Sequence, residues 1–194
     1  MSEQTNAAEQ PKTVAVPSPE QVEAEMQKIR YRRKFRRSLL QTVAVLVVVA
    51  AAAVLISTIF LPVIQVSGSS MSPTLNDGDV LVTLNTKQVS YGDLCCVSWQ
   101  NKMLLKRVIG LSGDTISIAE DGSVTVNDRL LDEPYVIQKS LGQCDITFPY
   151  QVPENQIFIL GDNRSLSADS RNADIGCISN DQIVGKVLFR IWKK

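Results

Sequence analysis

Three segments of the chain carry side chains that could do chemistry together. Ser67 to Leu75 is a serine-rich turn that offers hydroxyl nucleophiles, Lys106 lies in an apolar run, and Gly161 to Arg171 combines serines with charged residues. The chain has no histidine, which excludes Ser-His-Asp and Cys-His catalysis and His-ligated zinc. A serine nucleophile would need another base, and a desolvated lysine can act as one.

The strand pattern around Lys106 decides whether this lysine could be such a base. In an extended chain Lys106 shares a face with Leu104 and Val108, whereas Arg107 points to the opposite face. Burial of that face would lower the lysine pKa, and a shift from about 10.4 to about 8 corresponds to roughly 3 kcal/mol. The alternative has Lys106 exposed and Arg107 inward, or either one paired with a carboxylate. The strand pattern by itself favours this alternative.

Short β-rich runs separated by turn signals follow Pro62 and must position these groups. They predict an all-β domain over 63–194, a folded sheet or partly open barrel, with a small accessory β subdomain at about 115–155. No Gly-rich phosphate loop precedes a helix, so nucleotide binding has no support. The strand candidates are Val80 to Leu84, Leu94 to Trp99, Met103 to Leu111, Thr115 to Ile118, Val124 to Val126, Gln156 to Leu160 and Ile183 to Trp192.

The first 37 residues read as a cytoplasmic tail. Met1 to Pro17 has few large apolar side chains, which predicts disorder. Ser18 then provides an N-cap for a helix, with Pro19 at its first position and Gln21 three residues past the cap. Seven basic residues follow, which could bind nucleic acid but precede an apolar run and therefore favour a membrane-flanking role: Lys28, Arg30, Arg32, Arg33, Lys34, Arg36 and Arg37.

An apolar run from Leu39 to Leu61 predicts a transmembrane anchor at 38–62. It contains no ionisable residue, and about 23 residues at roughly 1.5 Å each reach about 34 Å, enough for a hydrocarbon core of about 30 Å. The basic cluster before it and the absence of Lys or Arg until Lys87 place the N-terminus in the cytoplasm and the β domain outside. A cleaved signal peptide is the alternative, but the run is long and starts late in the chain.

Three ordered motifs behind an anchor resemble the bacterial type I signal peptidases, the membrane-bound serine proteases that remove signal peptides from exported proteins. Gly68-x-Ser70-Met71-x-Pro73-Thr74-Leu75 is similar to the nucleophile box of that family. The run from Lys106 to Gly110, with Gly113-Asp114, is similar to the lysine box. The third box matches Gly161-Asp162-Asn163-Arg164 and Ser167-x-Asp169-Ser170-Arg171.

The resemblance implies a catalytic role for Ser70 and Lys106. Ser70 would be the nucleophile, and Lys106 the general base that later protonates the leaving amine. The resemblance also implies that Ser167 hydrogen-bonds the lysine and that Asp169 and Arg171 hold the site's geometry.

The oxyanion of the intermediate would be stabilised by the Ser70 amide, held by the turn after Gly68. Some members carry a serine at the position of Gly68 as a second oxyanion donor, so this chain resembles the short Gram-positive form and its second donor is open. Ser165 and Leu166 also depart from the frequent Asp-Asn of the family, with little expected effect.

For substrates, the resemblance implies exported preproteins cut after Ala-x-Ala-like sites. The residues before the scissile bond would lie extended along Met103 to Leu105, and Met71, Met103, Leu104 and Leu105 are the candidate pocket walls. The implied location is the cell membrane, single-pass, in contact with the bilayer and near the export machinery. No cofactor, metal or nucleic acid is expected.

The four cysteines show no Cys-x-x-Cys pair, so a zinc ribbon or thioredoxin-like site has little support. Cys144 and Cys177 could form a disulfide outside the cell, and free thiols are nearly as well supported; adjacent Cys95 and Cys96 should not pair.

Two rival functions are a Ser-Lys self-cleaving repressor, disfavoured by the anchor and the missing helix-turn-helix, and an anchored binding protein with an inactive site.

Overall fold

The computed structural model describes residues 18–193. Its first element is one long helix, α1 (Pro19–Phe60, 42 residues). Ser18 caps this helix as predicted: the Gln21 amide donates to Oγ of Ser18 at 3.4 Å, and the Ser18 amide donates to Oε1 of Gln21 at 3.1 Å. The predicted disordered tail, Met1 to Pro17, lies outside the described residues.

Helix α1 contains both the basic segment and the apolar segment, with no break between them. Its residues are all exposed, as a helix needs to be if lipid is to surround it. Within 18–193 it is the helix that is long and apolar enough to cross a membrane, judged by length and composition. It ends at Phe60, shortly before Pro62, because the residue that precedes a proline is disfavoured in helical conformation.

The rest of the described chain is β structure joined by turns. All strand pairs are antiparallel, and a short 3₁₀-helix, Asn180–Gln182, precedes the last strand. The strands are β1 (Val63–Gln65), β2 (Val80–Leu84), β3 (Leu94–Trp99), β4 (Lys102–Gly110), β5 (Thr115–Ile118), β6 (Val124–Val126), β7 (Arg129–Leu130), β8 (Tyr150–Gln151), β9 (Gln156–Leu160), β10 (Ile178–Ser179) and β11 (Ile183–Trp192).

A seven-stranded sheet in the order β1-β2-β11-β3-β4-β9-β10 forms the body of the domain. Side chains alternate between its two faces, as the period of two in an extended chain requires. One face contributes a core cluster that includes Cys95, Val97, Val108, Ile157 and Ile159. The intervening residues of β9 point to the opposite face and join a second cluster.

A four-stranded sheet, in the order β7-β6-β5-β8, covers that opposite face. Ile116, Ile118 and Val124 of the small sheet share a core cluster with Phe158 and Leu160 of the large sheet. These side chains are at most 7% exposed. The small sheet therefore buries its apolar side on the large sheet and does not enclose a core of its own.

The first half of β4 has a free edge within the described residues. β3 pairs with β4 from Lys102 to Arg107, whereas β9 pairs with β4 only at Arg107, Val108 and Gly110. Met103 to Leu105 therefore lacks a strand neighbour on the β9 side. Such an edge presents unpaired N–H and C=O groups to an incoming extended chain.

The predicted fold class is confirmed as an all-β domain after an apolar helix, and the seven predicted strands are present. Four short strands were not predicted: β1, β7, β8 and β10. They contain two or three residues each, too few for an alternating pattern to stand out in the sequence.

Candidate active site

Ser70 lies in the turn between β1 and β2, half-buried at the rim of the large sheet. The next residue, Met71, is 1% exposed and packs with Leu75, Val66 and Leu81 in a core cluster. These apolar neighbours anchor the turn on the sheet. The Ser70 side chain is thereby held at a fixed place while remaining open to one side.

Backbone hydrogen bonds close the base of this turn. The Gly78 amide donates to the carbonyl of Val66 at 2.9 Å, and the Gly68 amide donates to Oδ1 of Asp77 at 2.9 Å. Gly68 has φ = +88°, a conformation that a residue with a side chain rarely adopts. The glycine thus allows the chain to turn just before Ser70, and its own amide is already occupied.

Lys106 meets Ser70 directly. Its Nζ lies 2.8 Å from Oγ of Ser70. Lys106 is 4% exposed and Val108, on the same face of β4, is fully buried; across the sheet Lys106 lies opposite Cys95. The arrangement favoured by the strand pattern alone, with Lys106 exposed, is therefore wrong, and Lys106 faces inward.

Burial lowers the pKa of Lys106, because removal from water disfavours the charged ammonium. The nearby Arg171 charge acts in the same direction, whereas Asp169 acts in the opposite direction and favours the ammonium. Within 18–193, no carboxylate forms an ion pair with Lys106. The environment therefore makes the neutral amine easier to form beside the serine hydroxyl than it is for a lysine in water.

Arg107, on the opposite face of β4, is paired. Its Nε and Nη2 donate to the two carboxylate oxygens of Asp162 at 2.9 and 2.6 Å, and its guanidinium lies 3.8 Å from the ring centre of Tyr135. The two adjacent basic residues thus have separate environments: the lysine faces the serine and the arginine fixes the loop after β9.

The Gly161 to Arg164 segment touches the Ser70 turn through its backbone. The Asn163 amide donates to the carbonyl of Ser70 at 3.0 Å, and Nδ2 of Asn163 donates to the carbonyl of Ser69 at 3.3 Å. A Cβ on Gly161 would collide with Oγ of Ser167 and lie 2.6 Å from the carbonyl oxygen of Ser70. Only glycine leaves room for this close approach.

Ser167 lies beside this contact but does not form the hydrogen bond to Lys106 that the resemblance implies. Its Oγ is buried and has no hydrogen-bond partner among the described residues. The hydroxyl instead packs against Gly161, on the side of the loop that faces the Ser70 turn. A buried hydroxyl without a partner costs free energy.

Asp169 and Arg171 form a fully buried, two-pronged ion pair, with Nε to Oδ1 at 2.8 Å and Nη2 to Oδ2 at 2.9 Å. Asp169 also accepts the Gly161 amide at 3.0 Å. Arg171 reaches the 131–149 loop, where Nη1 donates to the Leu141 carbonyl at 2.7 Å. The ion pair therefore connects its own segment with Gly161 and with the 131–149 loop.

A second buried ion pair was missed from the sequence. Nη1 and Nη2 of Arg164 donate to the two carboxylate oxygens of Glu133, with almost no exposure of either side chain, and Nε of Arg164 donates to the Gly161 carbonyl at 3.1 Å. Arg164 belongs to a motif noted in the sequence. Glu133 gave no local signal, because its partner is distant along the chain.

A cavity of about 300 Å³ opens beside Ser70 and Lys106. All four predicted wall residues, Met71, Met103, Leu104 and Leu105, line it. The segment Ile64 to Ser67 also lines the cavity, and so does Cys96, which was not predicted as a wall residue. Its lining combines apolar side chains with four polar ones, those of Gln65, Ser67, Ser70 and Lys106.

The cysteines are all free thiols, so the possible Cys144–Cys177 disulfide is not formed in this structure. Burial raises the pKa of the Cys95 thiol to about 12 and of the Cys96 thiol to about 11. Among residues 18–193, no group of His, Cys, Asp or Glu is arranged to hold a metal ion.

Comparisons with known proteins place this arrangement in a family. Residues 39–192 match the family described as "Signal peptidase, peptidase S26". Signal peptidase I S of Bacillus subtilis (strain 168) is 34% identical over 166 residues, which cover 79% of this chain and 89% of that protein. Signal peptidase I of Bacillus amyloliquefaciens is 33% identical over 157 residues, covering 75% of this chain and 83% of that protein.

Among solved structures, a signal peptidase I from Enterococcus faecalis V583 is 27% identical and superposes with a TM-score of 0.44, over 53% of this chain and 97% of that one. The family match extends from the apolar half of α1 to the end of β11. The chain therefore belongs to the signal peptidase family, peptidase S26, and is a serine endopeptidase.

Proposed function

We propose that the chain removes signal peptides from exported preproteins, with Ser70 as nucleophile and Lys106 as general base. The observation that carries this proposal is the 2.8 Å separation of Nζ and Oγ at a lysine whose pKa is lowered by burial. A neutral amine at hydrogen-bond distance can take the hydroxyl proton as the oxygen attacks a carbonyl.

The chemistry proceeds in two halves. Oγ of Ser70 attacks the scissile carbonyl carbon while its proton moves to Lys106, and the resulting ammonium protonates the departing amine as the C–N bond breaks. Lys106, neutral again, then takes a proton from water as the water oxygen attacks the ester carbonyl carbon. The bond from that carbon to Oγ breaks, Oγ of Ser70 regains the proton from Lys106, and the signal peptide leaves with a free carboxyl group. The Ser70 amide, fixed by the turn after Gly68, stabilises the oxyanion. The Gly68 amide cannot, because it donates to Asp77.

Asp169, Arg171 and Ser167 act on geometry in this proposal. The buried ion pair holds Gly161 through its amide, and Gly161 in turn packs against the carbonyl of Ser70. The two charges of the pair act in opposite directions on the lysine pKa, which Asp169 raises and Arg171 lowers, so the lowered pKa comes from burial. Ser167 fills the space beside Gly161 and offers a hydroxyl near the reacting groups.

The substrate would bind as an added strand along the free edge of Met103 to Leu105, with β1 on its other side. The cavity of about 300 Å³ between these segments admits small side chains before the scissile bond, which fits an Ala-x-Ala-like preference. Main-chain hydrogen bonds would supply affinity and the pocket would supply specificity.

We further propose that α1 anchors the enzyme in the cell membrane, with 1–37 in the cytoplasm, 38–62 in the bilayer and 63–194 outside, near the export machinery. The basic residues before the apolar segment support this orientation. Anchoring would hold the active site close to the membrane, where the apolar part of a signal peptide resides, and so raise the effective concentration of the substrate.

Protease added to sealed, right-side-out vesicles tests the orientation. It should digest the β domain and spare the N-terminal tail; the opposite pattern would refute the orientation.

The central test is cleavage of a preprotein with an Ala-x-Ala site by the purified full-length protein in detergent. Ser70→Ala and Lys106→Ala should abolish cleavage. Two matched controls, Ser69→Ala and Lys102→Ala, change an exposed serine in the same turn and an exposed lysine in the same strand, and should retain it. Activity that survives Ser70→Ala would show that Ser70 is not the nucleophile, and inactive wild-type protein that is folded would refute the function.

A further inference from the structure

A second pocket, of about 240 Å³, is lined in part by the nucleophile turn. Ser72 and Pro73, which directly follow the Ser70–Met71 pair, form one wall, and Asn163 and Ser165 form another. Asn163 donates hydrogen bonds to the carbonyls of Ser69 and Ser70. The pocket therefore adjoins the reacting serine but shares no lining residue with the cavity that contains Lys106.

The outer wall of this pocket is a segment that buried contacts hold in place. Glu133 is paired with Arg164, and Tyr135 lies under the Arg107 guanidinium. The next residues along the segment, Ile137 and Gln138, line the pocket. Ile137 is 80% exposed, although its neighbour Val136 is buried. Ile137 therefore presents an apolar side chain in the lining of a pocket that also contains Ser72 and Pro73 of the nucleophile turn.

The pocket is close to electrically neutral. Asp162 is the one ionisable residue among those that line it, and both of its carboxylate oxygens accept hydrogen bonds from Arg107. The remaining lining consists of apolar side chains, hydroxyls and amides. Such a surface suits an uncharged side chain, because a charged one would lose hydration without meeting an opposite charge.

We propose that this pocket binds one of the first residues after the scissile bond, and that it selects an uncharged side chain there. This inference rests on the proposed function: if the residues before the bond occupy the cavity beside Lys106, a chain passing over Ser70 continues toward Asn163 and Ile137. The enzyme would then read the start of the mature protein as well as the end of the signal peptide.

The test uses full-length protein and peptides that share one Ala-x-Ala signal end and differ in the first three residues after the bond. Each of these positions is set in turn to Ile, Gln, Glu or Lys, and kcat/KM is measured. Wild-type protein should prefer Ile or Gln at one of the three positions. Ile137→Ala should weaken the preference for Ile at that same position.

Gln138→Glu places a negative charge in the pocket with little change in shape. At the selected position it should shift the ratio of kcat/KM for Lys over Glu by roughly tenfold, an effect that added salt reduces. Gln143→Glu is the matched control, since Gln143 is an exposed residue of the same loop that does not line the pocket; it should leave the ratio unchanged.

The experiment distinguishes failure of the second pocket as a binding site from failure of the proposed function. Wild-type protein that cleaves none of the peptides would refute the proposed function. Cleavage with equal Lys-to-Glu ratios in Gln138→Glu and Gln143→Glu, at all three positions, would overturn the second pocket as a binding site while leaving the function intact. A shift confined to one position in Gln138→Glu supports the inference.

Discussion

Gly161 packs against the main chain of Ser70 so closely that a methyl group at residue 161 would lie 2.6 Å from the Ser70 carbonyl oxygen. The loop after β9 and the nucleophile turn are thus in contact at the backbone, and the turn's position depends on the loop. The connection extends through the Gly161 amide to Asp169. The Asp169–Arg171 ion pair, although distant from Ser70 in sequence, thereby helps to position the Ser70 hydroxyl.

Gly161→Ala should therefore impair catalysis more than folding. The added methyl must displace the Ser70 carbonyl or Ser167, and a misplacement of about 1 Å can cost on the order of 10²-fold in rate. Gly113→Ala is the control: Gly113 has φ = +86° and open space where a Cβ would lie, so this variant should lose about 1 kcal/mol of stability and keep its activity. Measured kcat for both variants, with urea unfolding, checks this; equal kcat values would contradict it.

Activity should fall as the pH is lowered through the pKa of Lys106. Burial lowers this pKa below its ordinary value. Above the shifted pKa the amine is neutral and can act as a base, and below it the amine is protonated and cannot. On the acid side kcat/KM should drop about tenfold per pH unit. A profile that is flat between about pH 5 and 9 would count against a lysine base.

Lys106→Arg also tests whether Lys106 is the general base, and it keeps a basic side chain at this position. A guanidinium cannot be deprotonated in a protein, so this variant should be inactive at every pH at which it remains folded. Recovery of activity at alkaline pH in Lys106→Arg would show that another group is the base.

Glu133→Gln should destabilise the domain strongly. Arg164 would remain buried without its partner charge, and breaking a buried pair costs about 3–5 kcal/mol. Asp181→Asn removes the partner of Lys87 in an exposed pair, where solvent screens the charges, and should change stability little. Urea unfolding of both variants gives the comparison, and similar midpoints would mean that the Arg164–Glu133 pair is not a main support of the loop.

The sequence by itself determined the class of the fold and the segments of the site. Seven strands were found because each is a short β-rich run bounded by turn residues, and the Ser18 cap was found because capping is local. The absence of histidine directed attention to lysine as a base. The motifs around Ser70, Lys106 and Gly161 then indicated the family before any geometry was known.

Only the tertiary structure decided how these segments meet. The strand pattern by itself favoured Lys106 exposed and Arg107 inward, and the structure has Lys106 buried, because burial depends on what packs against each face of β4. The Glu133–Arg164 pair and the second pocket join residues far apart in the chain, and no local pattern reports such contacts. The Ser167 hydroxyl likewise packs against Gly161 instead of bonding Lys106, an outcome set by the close approach of two loops.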